Sequence, residues 1–284
     1  MKIILGTVQF GLNYGINNKC GKISEKQADK IFDYAYENDI NTLDTANAYG
    51  NSETVIGTYF KNSKNRFKII TKLIEKDNPE KQLQNTFLKL GVKKIYGFLI
   101  HNFSLYKKNP DSYEMLLAYK KKKILKTGFS LYYPEELNFL IKKNIEFNLI
   151  QIPYSIFDRR FEPYFPLLKE KKVEIHIRSL FLQGLIFINP ESAPKLFNKL
   201  IPKLKRLRQI AQDNKTSVLS LALNFVTSNK YIDKAVVGID SLNHLKQIII
   251  AVNEPVSITD NYKQLNQLKE ENEKLILPIH WKNG

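Results

Sequence analysis

The chain has 284 residues, 43% of them hydrophobic and 25% charged, with one cysteine and a formal net charge of +16. A single cysteine excludes an intrachain disulfide, and a core of this size needs no metal or disulfide staple. No stretch approaches the ~18 apolar residues that cross a bilayer, and Met1 to Gly6 runs into an apolar segment without a signal-peptide cleavage pattern, so a cytoplasmic protein with no membrane partner is expected.

Short β-rich runs alternate with amphipathic helical stretches along the whole sequence. The apolar run Lys2 to Phe10 is followed by a helix over Ser24 to Glu37, with Ala28, Ile31, Phe32 and Ala35 on one face and a Ser24/Gln27 capping box at its start. Ile40 to Thr45 reads as a strand and Ser52 to Phe60 as a helix. Phe67 to Leu73 is the next strand, and Pro79 to Leu90 a helix with proline in its first turn. Ile95 to His101 and Ser112 to Lys122 continue the beat. So do Ile124 to Ser130 with Pro134 to Lys143, and Phe147 to Tyr154 with Glu162 to Lys171. Val173 to Ser179 precedes two helices, near Leu200 to Gln212 and Ser217 to Thr227. Ala235 to Asp240 and Leu242 to Val252 close the series.

Eight strand–helix units with an extra helix before the last strand predict an α/β fold of the (β/α)8 TIM-barrel class. No linker divides the chain, so one domain is expected over residues 1–284. Residues 253–284 form a tail with one charged helix, Gln264 to Lys274. The lysines are scattered and read as solvated helix faces. The densest run, Lys120 to Lys123, falls on the N-terminal face of such a barrel and lacks the aromatic signature of an RNA-binding surface. Nucleic acid is therefore not expected as a partner.

Barrel strands buried on both faces should be continuous hydrophobic runs. Asp44, Lys72 and His101 break that rule at strand C-termini, and Tyr49 lies just beyond Asp44. Each alone has an ordinary reading: a turn cap, a solvated cation, a structural histidine, a packed ring. In a barrel, however, all four converge on one mouth. A buried lysine needs a partner, and Asp44 is a suitable one. A cation beside a tyrosine favours the phenolate, so Lys72 is expected to lower the Tyr49 pKa from about 10. That would make Tyr49 a proton donor and acceptor near neutral pH.

This set resembles the aldo/keto reductase superfamily. The carriers are Leu5-Gly6-Thr7, Leu43-Asp44-Thr45-Ala46-Asn47-Ala48-Tyr49-Gly50, Ser52-Glu53, Ile70-Thr71-Lys72 and Leu99-Ile100-His101. The resemblance spans nearly the whole chain. It implies a (β/α)8 barrel using NADPH or NADH, with Tyr49 as general acid/base, Lys72 and Asp44 tuning it, and His101 orienting the substrate oxygen. It also implies cofactor contacts. Gly6, Thr7 and Asp44 fall on the nicotinamide side, and Ser130 and Gln151 match the pair that holds the carboxamide. Arg178 stands where many members stack a tyrosine, and a guanidinium can also stack. Ser179 and Gly184 match the pyrophosphate loop. Gly238, Asp240 and Ser241 match the adenosine-phosphate segment. His244 takes the place of an arginine for the 2′-phosphate, and Gln247 and Ile248 that of an adenine-binding pair. Leu131 replaces a usual asparagine. NADPH is expected on family grounds, although Asp240 is an awkward neighbour for its 2′-phosphate.

The leading reading is a carbonyl reductase acting on a small molecule. Tyr49 protonates the developing alkoxide while neutral His101 stabilises it. The sequence has no Gly-x-Gly-x-x-Gly motif, so a Rossmann cofactor site is not expected. The scattered histidines lack metal-ligand spacing, so no metal is expected. The segment after His101 is short and the tail offers little to enclose a substrate. An open site able to take a sugar-type carbonyl is therefore expected. Two other readings compete: a regulatory barrel that binds cofactor with little turnover, and a basic nucleic-acid-binding module.

Overall fold

The computed structural model describes residues 1–18, 20–74, 77–120 and 122–281. Lys121 of the basic run and residues 282–284 of the tail lie outside them. Strands β1 (Ile3–Gly6), β2 (Thr42–Asp44), β3 (Lys68–Leu73), β4 (Ile95–Ile100), β5 (Ile124–Ser130), β6 (Leu149–Pro153), β7 (Glu174–Arg178) and β8 (Lys234–Gly238) pair in parallel in that order. β8 returns to β1, so the sheet is a closed barrel, as the sequence predicts.

Inside the barrel, Ile4, Ile70, Leu99 and Leu149 form an apolar layer of their own. Side chains two residues apart on a strand share a face. The next inward positions towards the C-terminal mouth are therefore Gly6, Lys72, His101 and Gln151. A greasy plug thus floors a polar mouth. The larger core lies outside the strands, against the helices.

Helices α1 (Val8–Gly11), α2 (Glu25–Glu37), α3 (Ser52–Asn62), α4 (Pro79–Leu90), α5 (Phe103–Lys108), α6 (Asp111–Tyr119), α7 (Pro134–Lys142) and α8 (Phe165–Glu170) alternate with the first seven strands. Both α9 (Ile201–Asp213) and α10 (Val218–Thr227) precede β8, and α11 (Leu242–Asn253) follows it. The Ser24 cap holds, with Gln27 Oε1 accepting the Ser24 backbone N–H at 3.2 Å.

Four readings need correction. One turn of helix, α1, follows the first strand, where the sequence reads as one apolar run. α5 follows His101, started by Asn102, whose side chain accepts the Ser104 N–H at 2.8 Å. The helix expected to reach Lys122 ends at Tyr119. The tail is not helical over Gln264 to Lys274; it forms α12 (Ile258–Asn266) and a single turn, α13 (Glu273–Ile276). Between these two, tertiary bonds outbid local propensity. The Glu270 N–H donates to Phe157 O at 2.8 Å, and the Glu270 carboxylate pairs with Lys203 at 2.9 Å. No described helix is long and apolar enough to cross a membrane.

Candidate active site

Asp44 ends β2 and Lys72 stands next to last on β3, so the barrel register brings them together at the mouth. Lys72 Nζ donates to Asp44 Oδ1 at 2.6 Å and to Thr45 O at 2.9 Å, and it lies 3.5 Å from the Tyr49 hydroxyl. Asp44 is saturated from the other side, where Gln151 Nε2 donates to its Oδ2 at 2.7 Å. A buried ammonium and a buried carboxylate are tolerable only with such partners. Burial pushes the Lys72 pKa down, and the Asp44 carboxylate opposes the shift.

Tyr49 hangs on the loop between β2 and α3. Its N–H donates to Ala46 O at 2.9 Å and its carbonyl accepts from Ser52 N at 3.1 Å. Two glycines let the loop sit there. Gly50 adopts φ = 57°, and a Cβ on Gly11 would stand 1.7 Å from the Tyr49 carbonyl oxygen. The Lys72 ammonium lies 5.1 Å from the Tyr49 ring centroid. The expected lowering of the Tyr49 pKa is nonetheless reversed. Burial and the Asp44 carboxylate push it well above the usual phenol value. The lysine's charge is committed to Asp44, and desolvation of a phenolate is the larger effect. Tyr49 is therefore a protonated phenol at neutral pH, suited to giving up a proton.

His101 follows β4, tied by its N–H to Leu73 O at 2.9 Å. Its ring meets the Tyr49 ring edge-on at 6.0 Å. Burial, then the Lys72 and Arg178 charges, lower its pKa to about 3, so the imidazole is neutral. Its buried Nδ1 has no partner among the described residues.

Arg178 ends β7. Its guanidinium lies 4.0 Å from the Tyr132 ring centroid, and Nη2 donates to Leu131 O at 2.7 Å. The residue in place of the expected asparagine thus contributes its backbone carbonyl. Nη1 reaches Ser179 Oγ at 3.3 Å, and Ser179 itself has φ = 62°. Thr7 is fully buried, and its hydroxyl bonds Asp44 O at 3.0 Å and Ser52 Oγ at 2.8 Å.

One cleft of about 470 Å³ brings together Tyr49, Asp44, Lys72 and His101 with Gly6, Thr7, Ser130, Gln151, Arg178, Ser179, Gly184, Gly238, Asp240, His244, Gln247 and Ile248. That volume is typical of small-molecule sites. Ser241 is not part of the lining; it caps α11, its Oγ accepting the His244 N–H at 3.2 Å. Asp240 Oδ2 lies 3.6 Å from His244 Nδ1. A smaller hollow of about 190 Å³ adjoins His101, lined by Ala48, Ile74, Asn102 and Leu105.

Sequence reasoning misses several lining residues, chiefly Gln9, Tyr14, Tyr132 and Gln183. Gln9 carried a signal, a polar residue inside the apolar run Thr7-Val8-Gln9-Phe10. Tyr14 and Gln183 come from two loops that meet over the cleft, Gln183 Nε2 donating to Tyr14 OH at 3.0 Å, and no local pattern marks that pairing.

The closed barrel thus gathers Asp44, Tyr49, Lys72 and His101 at its C-terminal mouth. The aldo/keto reductase family model matches residues 2–270, and the chain belongs to that family. An uncharacterized oxidoreductase of Bacillus subtilis, YqkF, is 24% identical over 259 residues, covering 81% of this chain and 83% of the relative. Two solved structures share the fold. The holo form of the aldo-keto reductase AKR11C1 from Bacillus halodurans superposes with a TM-score of 0.75 at 20% identity, covering 96% of this chain and 95% of that one. The glycerol dehydrogenase AKR11B4 from Gluconobacter oxydans has a TM-score of 0.72 at 18% identity, covering 100% of this chain and 94% of that one.

Proposed function

We propose that this protein reduces an aldehyde or ketone to an alcohol at the Tyr49 site, using a nicotinamide dinucleotide, NADPH or NADH, bound in the same cleft. The observation that carries the reading is the buried Tyr49–Lys72–Asp44 constellation beside a neutral His101. Family membership supports it.

A bound reduced nicotinamide supplies the hydride to the carbonyl carbon. The protein's own residues handle the oxygen. The Tyr49 hydroxyl gives its proton to the developing alkoxide, and the phenolate left behind faces Lys72 Nζ at 3.5 Å. That ammonium is held in place by Asp44, itself pinned by Gln151. Neutral His101 donates a hydrogen bond from one ring nitrogen to the same oxygen, where charge forms. The apolar layer under the mouth excludes water from below. The residues present suit a dinucleotide: Gln9 Oε1 is buried at the cleft wall with no partner among the described residues, and Gly6 packs close against Gly238.

The hollow of about 190 Å³ beside His101 takes the rest of the substrate, which can be a sugar-type carbonyl. The test is a screen of cofactor oxidation against aromatic aldehydes, ketoses and keto-sugar nucleotides. Carbonyl-dependent oxidation is expected with at least one class. Cofactor binding without turnover for any of them would favour the regulatory barrel instead.

A further inference from the structure

We infer that Asp240, seconded by Gln9, makes this cleft select the dinucleotide that lacks a 2′-phosphate, NADH over NADPH. The inference rests on the proposed reductase reading. Hydride delivery beside Tyr49 puts the nicotinamide at the catalytic end. The adenosine half then lies along the stretch that leaves the barrel over the end of β8 and reaches α11, lined by Gly238, Asp240, His244, Gln247 and Ile248.

Two acceptors face that stretch. Asp240 presents a carboxylate whose side chain is 18% exposed. Gln9 is 7% exposed, and its buried Oε1 has no partner among the described residues. Burial pushes the Asp240 pKa up, and His244 and the Gln9 amide oppose that by favouring the charged carboxylate, so Gln9 and Asp240 act together. A carboxylate beside an unpartnered amide oxygen calls for donors. The 2′- and 3′-hydroxyls of a ribose are donors. A 2′-phosphate brings acceptor oxygens and about −1.5 to −2 charges, as phosphate monoesters do. It would meet a carboxylate with nothing to donate.

A phosphate could still be held if a permanent cation stood close, ideally a bidentate guanidinium. Among the described lining residues, Lys72 and Arg178 are the only lysine and arginine. Both are engaged at the catalytic end, Lys72 with Asp44 and Arg178 with Leu131 and Tyr132. Among the described lining residues, His244 is the one basic side chain on the adenosine stretch, and it is paired with Asp240 at 3.6 Å. Any charge it carries offsets that carboxylate first. The net charge of +16 draws both dinucleotides alike and does not discriminate between them. The NADPH expected on family grounds is thus replaced by NADH on the strength of this chain's own residues.

Isothermal titration of the full-length protein with NADH and with NADPH tests this without any substrate. The wild type should bind NADH at least about tenfold more tightly, a difference of about 1.4 kcal/mol. Asp240→Asn keeps the shape and removes the charge. It should narrow the ratio to within about threefold, mainly by tightening NADPH. Adding His244→Arg to it should tip the preference to NADPH. Unfolding midpoints of the variants check that each is folded. NADPH binding as tightly as NADH to the wild type would overturn the inference and leave the reductase reading intact, as would an unchanged ratio in folded Asp240→Asn. Failure of the wild type to bind either dinucleotide would overturn both.

Discussion

Gln151 donates its side-chain amide to Asp44 Oδ2 at 2.7 Å from a strand on the far side of the barrel mouth. The bond ties β6 to β2 and fixes which way the Asp44 carboxylate faces. Its other oxygen then meets Lys72 Nζ at 2.6 Å. The cation is thereby held 3.5 Å from the Tyr49 hydroxyl, close enough to receive a phenolate yet already neutralised by a carboxylate. Tyr49 accordingly rests as a phenol, and in the proposed reaction the cation matters once the phenol has given up its proton.

Lys72→Met should therefore damage the protein in two separable ways. It leaves Asp44 buried without its counter-charge, which typically costs about 3–5 kcal/mol. It also removes the charge that receives the phenolate, so turnover should fall by about 10²-fold or more. Urea unfolding and kcat measure the two effects. Pairing Lys72→Met with Asp44→Asn should restore most of the stability and none of the turnover. Recovery of both together would show that Lys72 acts only through folding.

His101 predicts the shape of the acid limb. In the unfolded chain a histidine titrates near its ordinary value of about 6.5. In the folded protein the His101 pKa is lowered to about 3. Between these values the unfolded state binds a proton that the native state refuses. Stability is thus lost as pH falls from about 6.5 towards about 3, and it is unaffected by this group above neutrality. His101→Gln has no such proton to bind. Melting temperatures taken from pH 7 to pH 4 should fall less steeply for the variant than for the wild type. Parallel curves would contradict a neutral, buried His101.

Gly11→Ala tests how Tyr49 is placed. The added methyl would stand 1.7 Å from the Tyr49 carbonyl oxygen, so α1 and the Tyr49 loop must separate. Overpacking of this kind costs about 1–3 kcal/mol. The larger effect should be on turnover, because the phenol shifts relative to Lys72 and His101. A variant with wild-type kcat would mean that the loop position does not set the chemistry.

Much of this was legible in the sequence. The alternation of β-rich and amphipathic runs marks the barrel because buried parallel strands must be apolar, and Asp44, Lys72 and His101 stand out as breaks at strand ends. What local pattern does not carry is partner choice across the mouth. Gln151 bonds Asp44, and Arg178 stacks on Tyr132, through contacts distant in sequence. The sign of the Tyr49 shift was missed for a related reason. A neighbouring cation is visible in the sequence, whereas the depth of burial and the carboxylate that neutralises the cation belong to the fold. The tail helix failed where Glu270 exchanges helical bonds for Phe157 and Lys203. The turn α5 could have been read, since Asn102 before Phe-Ser-Leu-Tyr is an ordinary N-cap signal.

The most direct test of carbonyl reduction at Tyr49 follows the hydride and the proton together. Dinucleotide carrying deuterium at the transferable position of its nicotinamide would be incubated with a carbonyl substrate found in the screen. Wild type and Tyr49→Phe would be compared, with product mass and initial rate as readouts. One deuterium is expected on the carbinol carbon of the wild-type product. The rate of Tyr49→Phe should be about 10²–10⁴-fold lower, with cofactor affinity within a few-fold of wild type. A Tyr49→Phe variant that turns over at the wild-type rate, or a product without the label, would contradict carbonyl reduction with Tyr49 as the proton donor.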